Sequence, residues 1–478
     1  MKPYSNPLTD RLARGMLSRR QMLKDSAGGL GALALSWLNA RPLMASGGNL
    51  PSSMHNLLPK QPHFAPKAKR IVFVFLGGGP SQMDLMDPKP MLTKYNGQPI
   101  PISVTQRAIN KTANLMASPY KFQKYGQSGI ELSELLPGLS KVVDDIAVIR
   151  SGVTTRIDHG EAILMTHTGR PISGFPSMGS WITYALGSEN ENLPAYVALP
   201  DTTPVKIQST TSSGWLPALY QGNPFNVTGN PIHNLQRPDS VSAQDQERYL
   251  ELTQMLNRRH QEATHGPSAL DARIQNFELA ANMQLEAMQQ IDLSGESEAT
   301  RKLYGLDNKI TEKFGKQCLV ARRLLESGVR FVHLIRNDWD HHSDLNNRLT
   351  QSCHETDQPV AALVQDLKMR GLLEDTLVIW AGEFGRLPVS QGVDGRDHNP
   401  HGFSFWMAGG GVRGGTIHGA TDDFGYAAVE NPVTVADFHA TVMHLLGLDH
   451  TRVSYEFEGR DESLTGVESA EVIHNILA

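Results

Sequence analysis

The sequence predicts an α/β fold with a mostly parallel central sheet and helices on both faces. Two observations lead to this prediction. Short apolar strands recur along the chain, which is typical of strands buried on both faces of a parallel sheet. Amphipathic segments with helical spacing separate several of these strands, and that alternation predicts a layered α/β sandwich. In such folds the functional side chains lie beyond the carboxyl ends of the strands, so the loops there are the first place to search.

The predicted strands are apolar runs that end in polar or glycine-rich loops. The first, "IVFVFL" at residues 71–76, runs directly into the glycines of "GGGPS". The others lie at residues 146–153, 329–335, 376–383 and 403–411. Because these runs are largely apolar rather than alternating, both faces of the sheet are predicted to be covered.

Three segments with helical spacing carry recognisable end signals. "FGKQCLVARRLLESG" reaches Gly328, which is placed to end a helix in the left-handed conformation. "DQPVAALVQDLKMRGLL" has Asp357 and Pro359 where a helix would start. "TVADFHATVMHLLG" opens with Thr434 and Asp437 at capping-box spacing. We therefore expect a helix at each of these three segments.

The N-terminal segment predicts an export signal. "SRRQMLK" contains the pair Arg19 and Arg20, and a weakly apolar run of about a dozen residues follows. A membrane-spanning helix needs about 20 apolar residues, so this run is better explained as part of a cleaved signal. The arrangement resembles the twin-arginine signal, which implies the twin-arginine translocase as a partner and a periplasmic or extracellular location.

Local composition divides the chain into four parts. Residues 1–45 are the predicted signal sequence, and residues 46–68, rich in Pro, Ser and Gly, are a predicted linker. Residues 69–478 then form one α/β domain. Within it, residues from about 237 to 300 are polar and helical in pattern, without a strand signal, and predict a helical insertion.

Overall composition excludes several classes of protein. The 478-residue chain has a net charge of −5 and a pI near 6.4, so it lacks the basic surface of a nucleic-acid-binding protein. Its two cysteines, Cys318 and Cys353, exclude a disulfide framework and a cysteine zinc site. No second long apolar run occurs, so a stable membrane span is not expected.

Four loops that follow or lie near the predicted strand ends are rich in metal-binding side chains. Their candidate residues are Asp84 and Asp87 in the first loop, Asp338, Asp340, His341 and His342 in the second, Glu383 and Arg386 in the third, and Asp397, His398 and His401 in the fourth. A mixture of carboxylates and imidazoles suits zinc, manganese or iron. Two metal ions need about six such ligands, and this edge of the sheet supplies them.

The same motifs resemble a known family. "FLGGGPSQMDLMDPKP", "WDHHSDLNN", "WAGEFGR", "GRDHNPHGFSFWMAGGGVRGG" and "PVTVADFHATVMHLLGLD" are similar to an exported bacterial family designated domain of unknown function 1501. The order of acids and histidines also resembles the alkaline phosphatase and sulfatase superfamily. The resemblance implies an alkaline-phosphatase-like three-layer sandwich and a metal-dependent hydrolase of phosphate or sulfate esters. The substrate would be a small molecule or a polysaccharide ester.

The resemblance implies roles for individual residues. A divalent metal (zinc, manganese or calcium, as one or two ions) would be held by a set of acids and histidines. That set is Asp84, or Asp87 in its place, together with Asp340, His342, Glu383, His398 and His401, with Asp338 as an alternative to Asp340. Arg386 and the backbone N–H groups of the glycine turn would hold the anionic group of the substrate. The predicted substrate-binding residues are Gly78, Gly79 and Ser81.

The nucleophile is the largest departure from the superfamily pattern. "HGEAILMTHTGRP" lacks the proline and arginine of the sulfatase motif, and His159 stands where the nucleophile would be. His159 is thus a candidate nucleophile, general acid or base, metal ligand or helix cap. The hydroxyls of Ser151, Thr154 and Thr155 are alternative nucleophiles. The missing motif also leaves a second hypothesis open, a binding protein of the same fold without turnover.

Overall fold

The computed structural model describes residues 57–102, 114–200, 207–227, 240–264, 283 and 286–478. The predicted signal sequence lies outside the described residues, as does the first part of the predicted linker. The linker residues that are described run along the folded domain. For example, Lys60 Nζ donates to the carbonyl of Tyr184 at 2.6 Å, and Lys67 N donates to the carbonyl of Leu445 at 2.9 Å.

An eight-stranded sheet forms the centre of the domain, and its strand order is β12-β4-β11-β8-β1-β7-β5-β6. These strands are β1 (Arg70–Leu76), β4 (Ile146–Gly152), β5 (Tyr196–Pro200), β6 (Asn223–Pro224), β7 (Phe331–Arg336), β8 (Thr376–Ala381), β11 (Phe403–Ala408) and β12 (Thr416–His418). Only β11 pairs antiparallel with its neighbours, and the other pairings are parallel. The predicted α/β fold with a mostly parallel sheet is confirmed.

Four two-stranded sheets lie outside the central one. They comprise β2 (Phe122–Tyr125) with β3 (Ile130–Ser133), β9 (Gly385–Gln391) with β10 (Gly395–Asn399), β13 (Ala420–Thr421) with β14 (Ala428–Glu430), and β15 (Tyr455–Phe457) with β16 (Arg460–Glu462). The β9–β10 hairpin is the one that matters for function, because it follows β8 and carries part of the candidate site.

Helices cover the sheet on both faces. In the described part of the chain the helices are α1 (Gln82–Leu85), α2 (Pro90–Lys94), α3 (His159–Thr168), α4 (Met178–Leu186), α5 (Ile207–Thr211), α6 (Ala243–Thr264), α7 (Glu298–Leu303), α8 (Glu312–Glu326), α9 (Leu345–Met369) and α10 (Val435–Leu445), of which α6 is not part of the layers around the sheet. Phe73 and Phe75 of β1 point to the face where α4 and α10 pack in one apolar cluster. Side chains alternate along a strand, so Val72 and Val74 face the opposite layer, where α8 packs against β7 and α9.

One predicted helix start was wrong. Asp357 and Pro359 do not begin a helix but lie inside the 25-residue helix α9, which starts at Leu345. The Asp357 carboxylate accepts the backbone N–H groups of Gly138 and Leu139, so it caps a different segment of the chain. The predicted capping box of α10 is confirmed, with Thr434 and Asp437 bonded reciprocally.

The helix α6 belongs to a separate unit from the domain of the central sheet and is described by itself. It is a 22-residue helix within the predicted helical insertion. Over the part of the chain that the structure describes, we find no helix with the length and apolar character needed to cross a membrane.

Candidate metal centre

Four loops meet at one edge of the central sheet. The parallel strands β1, β4, β7 and β8 all end at this edge, and the antiparallel strand β11 begins there. The β9–β10 hairpin returns to the same edge directly before β11. Residues far apart in the chain therefore converge, as expected for strand ends in an α/β sheet.

His159, Asp340, His342 and His398 form a compact cluster at this edge. One ligand atom from each lies within 4.8 Å of the others. His342 Nε2 is 2.8 Å from Asp340 Oδ1 and 3.0 Å from His398 Nε2. His159 Nε2 is 3.2 Å from Asp340 Oδ2. The predicted ligands Asp340, His342 and His398 thus come together, and His159, the candidate nucleophile, joins them.

The other nitrogen of each imidazole faces an acceptor outside the cluster. His159 Nδ1 lies 2.6 Å from Glu383 Oε1, and His398 Nδ1 lies 2.7 Å from the carbonyl oxygen of Ile157. His342 Nδ1 contacts the amide oxygen of Gln391. Carboxylate, carbonyl and amide oxygens accept hydrogen bonds, so each neutral imidazole carries its proton on Nδ1. The three Nε2 atoms are then left with their lone pairs toward the cluster.

This arrangement fits a bound cation. Three imidazole lone pairs and a carboxylate within hydrogen-bonding distance of one another repel unless a positive charge lies between them. His159 Nε2 is also buried, and the acceptor that faces it at 3.2 Å, Asp340 Oδ2, belongs to the same cluster. Histidine ligands of metals commonly donate their second N–H to a carboxylate or backbone carbonyl, as these do. Three nitrogens and one carboxylate are a donor set that zinc, manganese and iron accept.

Without a cation, protons must balance the same charges. Burial lowers the pKa of His159, but hydrogen bonds to Asp340 and Glu383 outweigh that effect and raise the pKa to about 9. Partial burial raises the pKa of Asp340, yet His159, His398 and Arg386 together hold it well below its usual range. The cluster therefore attracts positive charge, whether as a proton on His159 or as a metal ion.

Arg386 does not face the cluster as a free anion-binding group. Its side chain is only 1% exposed. Nε donates to the carbonyl of Gly79 at 2.9 Å, Nη1 donates to the carbonyl of Arg396 at 2.9 Å, and Nη2 donates to the carbonyl of Gly78. Nη2 also lies 2.5 Å from Asp340 Oδ1. The donors of Arg386 are thus engaged by the glycine turn, the hairpin and one oxygen of Asp340.

The glycine turn supports Glu383 rather than presenting a free amide to a substrate. The N–H of Gly78 donates to Glu383 Oε1 at 2.9 Å, and a Cβ at Gly78 would lie 2.4 Å from the backbone nitrogen of Asp340. A Cβ at Gly79 would lie 2.7 Å from the ring of Phe384. Close packing and the positive φ at both positions are sufficient to require glycine here, so the two glycines are not evidence of a bound ligand. Glu383 itself is fully buried behind His159 and lies outside the four-residue cluster.

Ser81 and Asp84 are also placed differently from the prediction. Asp84 is completely buried, and its carboxylate pairs with Arg396 at 2.7 and 3.2 Å. The Ser81 hydroxyl donates to Asp84 Oδ2 at 2.5 Å. Asp87, the alternative acid, is buried beside Lys89 at 3.0 Å. These acids neutralise buried cations, and none of them belongs to the four-residue cluster.

The remaining candidates lie around the cluster without joining it. The ring of His401 packs near Tyr426, with a centroid distance of 5.3 Å. Asp338 contributes its backbone carbonyl, which is 3.0 Å from His341 Nε2. The buried Ser151 hydroxyl donates to the carbonyl of Asn431 at 2.7 Å. Of the two acids in the middle loop, Asp340 belongs to the four-residue cluster and Asp338 does not.

Sequence reasoning missed the outer partners of two histidines. Gln391 lies in the β9–β10 hairpin, and Ile157 contributes a backbone carbonyl two residues before His159. A carbonyl carries no sequence signal, because every residue has one. Gln391 carries a detectable signal, since a polar side chain in the same hairpin as a candidate metal ligand is a candidate hydrogen-bond acceptor.

Fold and cluster together define a mixed α/β protein with a histidine–aspartate group that could hold a metal ion at the carboxyl edge of its sheet. In sequence, residues 68–477 match the family described as "Protein of unknown function (DUF1501)", and the chain belongs to that family. The resemblance predicted from the motifs is confirmed. No curated protein matches the sequence.

Several solved structures are similar to the chain at low sequence identity. The lipoteichoic acid synthase LtaP from Listeria monocytogenes is 11% identical, with 83% of this chain and 77% of that chain covered and a TM-score of 0.33. The PsFucS1 sulfatase from Pseudoalteromonas sp. is 13% identical, with 84% and 72% covered and a TM-score of 0.35. A protein in the alkaline phosphatase superfamily from Vibrio parahaemolyticus is 10% identical, with 85% and 73% covered and a TM-score of 0.34.

Proposed function

We propose that the chain is a metal-dependent hydrolase of phosphate or sulfate esters, with its metal ion held by His159, Asp340, His342 and His398. One observation carries this proposal. Each of the three imidazoles has its Nδ1 engaged by an outer acceptor and its Nε2 turned toward Asp340. Outer acceptors that fix Nδ1 and leave Nε2 free for an ion are the usual surroundings of histidines that bind a metal.

The donor set favours a single transition-metal ion. Among the described residues there is one group of this kind, and Arg386 already lies against Asp340 Oδ1, where a second ion would have to share the carboxylate. Calcium prefers six to eight oxygen ligands, whereas this group offers three nitrogens. We therefore propose one zinc, manganese or iron ion, in place of the broader expectation that included calcium and a second ion.

The surrounding residues have separate tasks in this proposal. A divalent ion bound here would act as a Lewis acid toward an ester oxygen or a water molecule. Glu383 fixes the ring orientation of His159, and the glycine turn and Arg386 fix Glu383 and Asp340. His159 is then a metal ligand with a carboxylate behind it rather than a free nucleophile. The substrate would be a small-molecule or polysaccharide ester.

A second candidate function is a metal-binding protein without turnover. Two groups suited to holding an anionic ester, the N–H of Gly78 and the guanidinium of Arg386, are already engaged within the protein. That observation favours binding over catalysis. Measurement of hydrolysis decides between the two candidates, since both require the metal.

The test combines metal analysis with a panel of aryl phosphate and sulfate esters. Wild-type protein purified without chelator should contain about one metal ion per chain and hydrolyse at least one ester class. His342→Ala should lose the metal and the activity, whereas His354→Ala, a change at an exposed histidine of α9, should keep both. Metal without hydrolysis would support the binding protein, and a metal-free wild type would refute both candidates.

We further propose that the chain is exported by the twin-arginine route. Arg19 and Arg20 support this, as the paired arginines before a short apolar run. Replacing both with lysine should retain the precursor in the cytoplasm, as followed by fractionation and immunoblotting. Normal export of that variant would exclude the route.

A further inference from the structure

His333 is an unusual residue for the place it occupies. It lies on β7 in the middle of the sheet, is completely buried, and stacks on the ring of Phe73 with a centroid distance of 5.1 Å. A polar ring in an apolar core destabilises the fold unless its nitrogens are hydrogen-bonded. Its two nitrogens therefore need partners, and both partners are identifiable.

A chain of hydrogen bonds runs through His333 with a defined direction. The carbonyl of Ile163 accepts from His167 Nδ1 at 2.7 Å, which leaves His167 Nε2 as an acceptor. His333 Nε2 lies 3.2 Å from that atom and must donate to it. His333 Nδ1 then faces the hydroxyl of Tyr196 at 3.3 Å as an acceptor, and it shares that proton with the carbonyl of Thr210, which is also 3.3 Å from the hydroxyl. Burial lowers the pKa of His167 to about 4 and holds the pKa of His333 well below its usual value, so both rings are neutral as this order requires.

The bond between His333 and His167 joins two elements that lead into the metal centre. His167 lies near the end of α3, the helix that begins with His159. His333 lies on β7, and the loop after β7 carries Asp340. A further bond holds the same end of α3, because His439 Nε2 donates to the carbonyl of Thr166 at 2.8 Å.

We propose that His333 is a positioning residue for the metal centre, and that its hydrogen bond to His167 fixes the rotation of α3 and thereby the direction of His159 Nε2. This inference rests on the metal-binding part of the proposed function. A side-chain atom about 6 Å from a helix axis moves about 0.5 Å when the helix turns by about 5°. Metal–ligand distances tolerate only about 0.2 Å, so a small rotation of α3 is enough to weaken a ligand.

Two substitutions at His333 separate positioning from simple core packing. His333→Gln keeps a donor that reaches His167. His333→Asn keeps a group near Tyr196 but is too short to reach His167. Leu319→Ala, in a buried position of α8 away from α3, is the control for general destabilisation. Zinc affinity is measured by competition with a chelator, and the coordination geometry by the visible spectrum of the cobalt-substituted protein.

We expect His333→Asn to weaken zinc binding about 10–100-fold, as the loss of partners behind a metal ligand does, and to shift the cobalt spectrum. His333→Gln should stay close to wild type in both measurements, and Leu319→Ala should lower thermal stability without moving the spectrum. Wild-type affinity and spectrum in His333→Asn would overturn the proposal. Equal losses in the Asn variant and in Leu319→Ala would also overturn it.

Crystal structures of the metal-free proteins make the test independent of the proposed function. In His333→Asn the contact between His159 Nδ1 and Glu383 Oε1, 2.6 Å in the native chain, should lengthen or break, and in His333→Gln it should remain. If the wild type binds no zinc or cobalt, the proposed metal site is wrong. A displaced His159 in the Asn variant would still support positioning by His333, and an unchanged contact would refute it.

Discussion

The carboxylate of Glu383 bridges His159 and the glycine turn. Its Oε1 lies 2.6 Å from His159 Nδ1 and accepts the N–H of Gly78 at 2.9 Å. One fully buried carboxylate thus connects the end of β1, the end of β8 and the start of α3. The orientation of His159 is thus set by a residue that does not itself belong to the cluster.

Replacing this carboxylate with its amide should weaken the metal centre. Glu383→Gln loses the negative charge behind His159, and we expect metal affinity to fall about 10–100-fold while the fold is retained. Competition with a chelator measures the change. Glu374→Gln, a substitution at an exposed carboxylate before β8, is the matched control and should bind metal like wild type. If Glu383→Gln bound metal with unchanged affinity, the role of Glu383 would be to stabilise the glycine turn and not the metal centre.

The glycine turn should not tolerate a side chain. Gly78→Ala would place a methyl group 2.4 Å from the backbone nitrogen of Asp340, at a φ of +125°. Gly129 also has positive φ, but a Cβ there meets nothing within 4 Å. We therefore expect Gly78→Ala to lower both the melting temperature and the metal content, and Gly129→Ala to cost only the backbone strain of about 1–2 kcal/mol. Equal effects of the two substitutions would contradict the steric explanation.

Arg386 should contribute more to stability than to substrate binding. Arg386→Met removes donors from the carbonyls of Gly78 and Gly79, and hydrogen bonds to charged groups contribute about 1.5–3 kcal/mol each. Urea denaturation should accordingly show a loss of at least about 3 kcal/mol. If Arg386→Met had wild-type stability but no turnover, that result would support Arg386 as an anion-binding group.

Asp84 and Asp340 should behave in opposite ways. Asp84→Asn breaks a fully buried ion pair with Arg396, which typically costs about 3–5 kcal/mol, and should leave the metal content unchanged. Asp340→Asn removes a proposed ligand from a partly exposed position and should lose the metal with a smaller loss of stability. Metal analysis and urea denaturation of both variants provide the comparison. Loss of metal in well-folded Asp84→Asn would restore Asp84 as a ligand.

The buried histidines predict an acid-sensitive fold. Burial lowers the pKa of His167 and of His439 to about 4, from about 6.5 in the unfolded chain. The unfolded state therefore binds protons first, and stability that is fully present above pH 6.5 is lost as the pH falls toward 4. Each group contributes roughly 3 kcal/mol to this loss. Urea denaturation of metal-free protein between pH 7.5 and 4.5 measures it.

His439→Gln is the control for the acid response. Glutamine keeps a donor for the carbonyl of Thr166 but does not titrate, so the stability of this variant should fall less steeply between pH 6.5 and 4.5. An identical slope in wild type and variant would show that His439 is not a source of the acid sensitivity.

Local patterns were sufficient to predict the sheet and part of the cluster. The apolar runs predict β1, β4, β7, β8 and β11 to within a few residues. They do so because strands that are buried on both faces of a sheet consist almost entirely of apolar residues. Asp340 and His342 follow β7, whereas His398 stands out through the motif "GRDHNPHG" after β8. The resemblance to the sulfatase motif indicates His159, which the structure places 3.2 Å from Asp340.

Local patterns do not predict the tertiary contacts that engage a candidate residue elsewhere and so keep it out of the cluster. Asp84 and Arg396 are 312 positions apart, and no local pattern pairs them. Likewise, the sequence shows that Arg386 follows a strand end but not that three backbone carbonyls take up its donors. Asp357 carries a helix-start signal yet caps Gly138 and Leu139, more than two hundred positions earlier. Tertiary neighbours decide such cases.

The wide spacing of the cluster along the chain makes it a marker of completed folding. His159 and His398 are separated by about half of the chain, so their nitrogens meet only after β4, β7 and the β9–β10 hairpin have all docked. A partly folded chain lacks the full set of ligands and gains little from the ion. A cation at 100 times its dissociation constant would add about 2.7 kcal/mol to the finished state alone. A bound metal ion would therefore stabilise completely folded molecules and not partly folded ones.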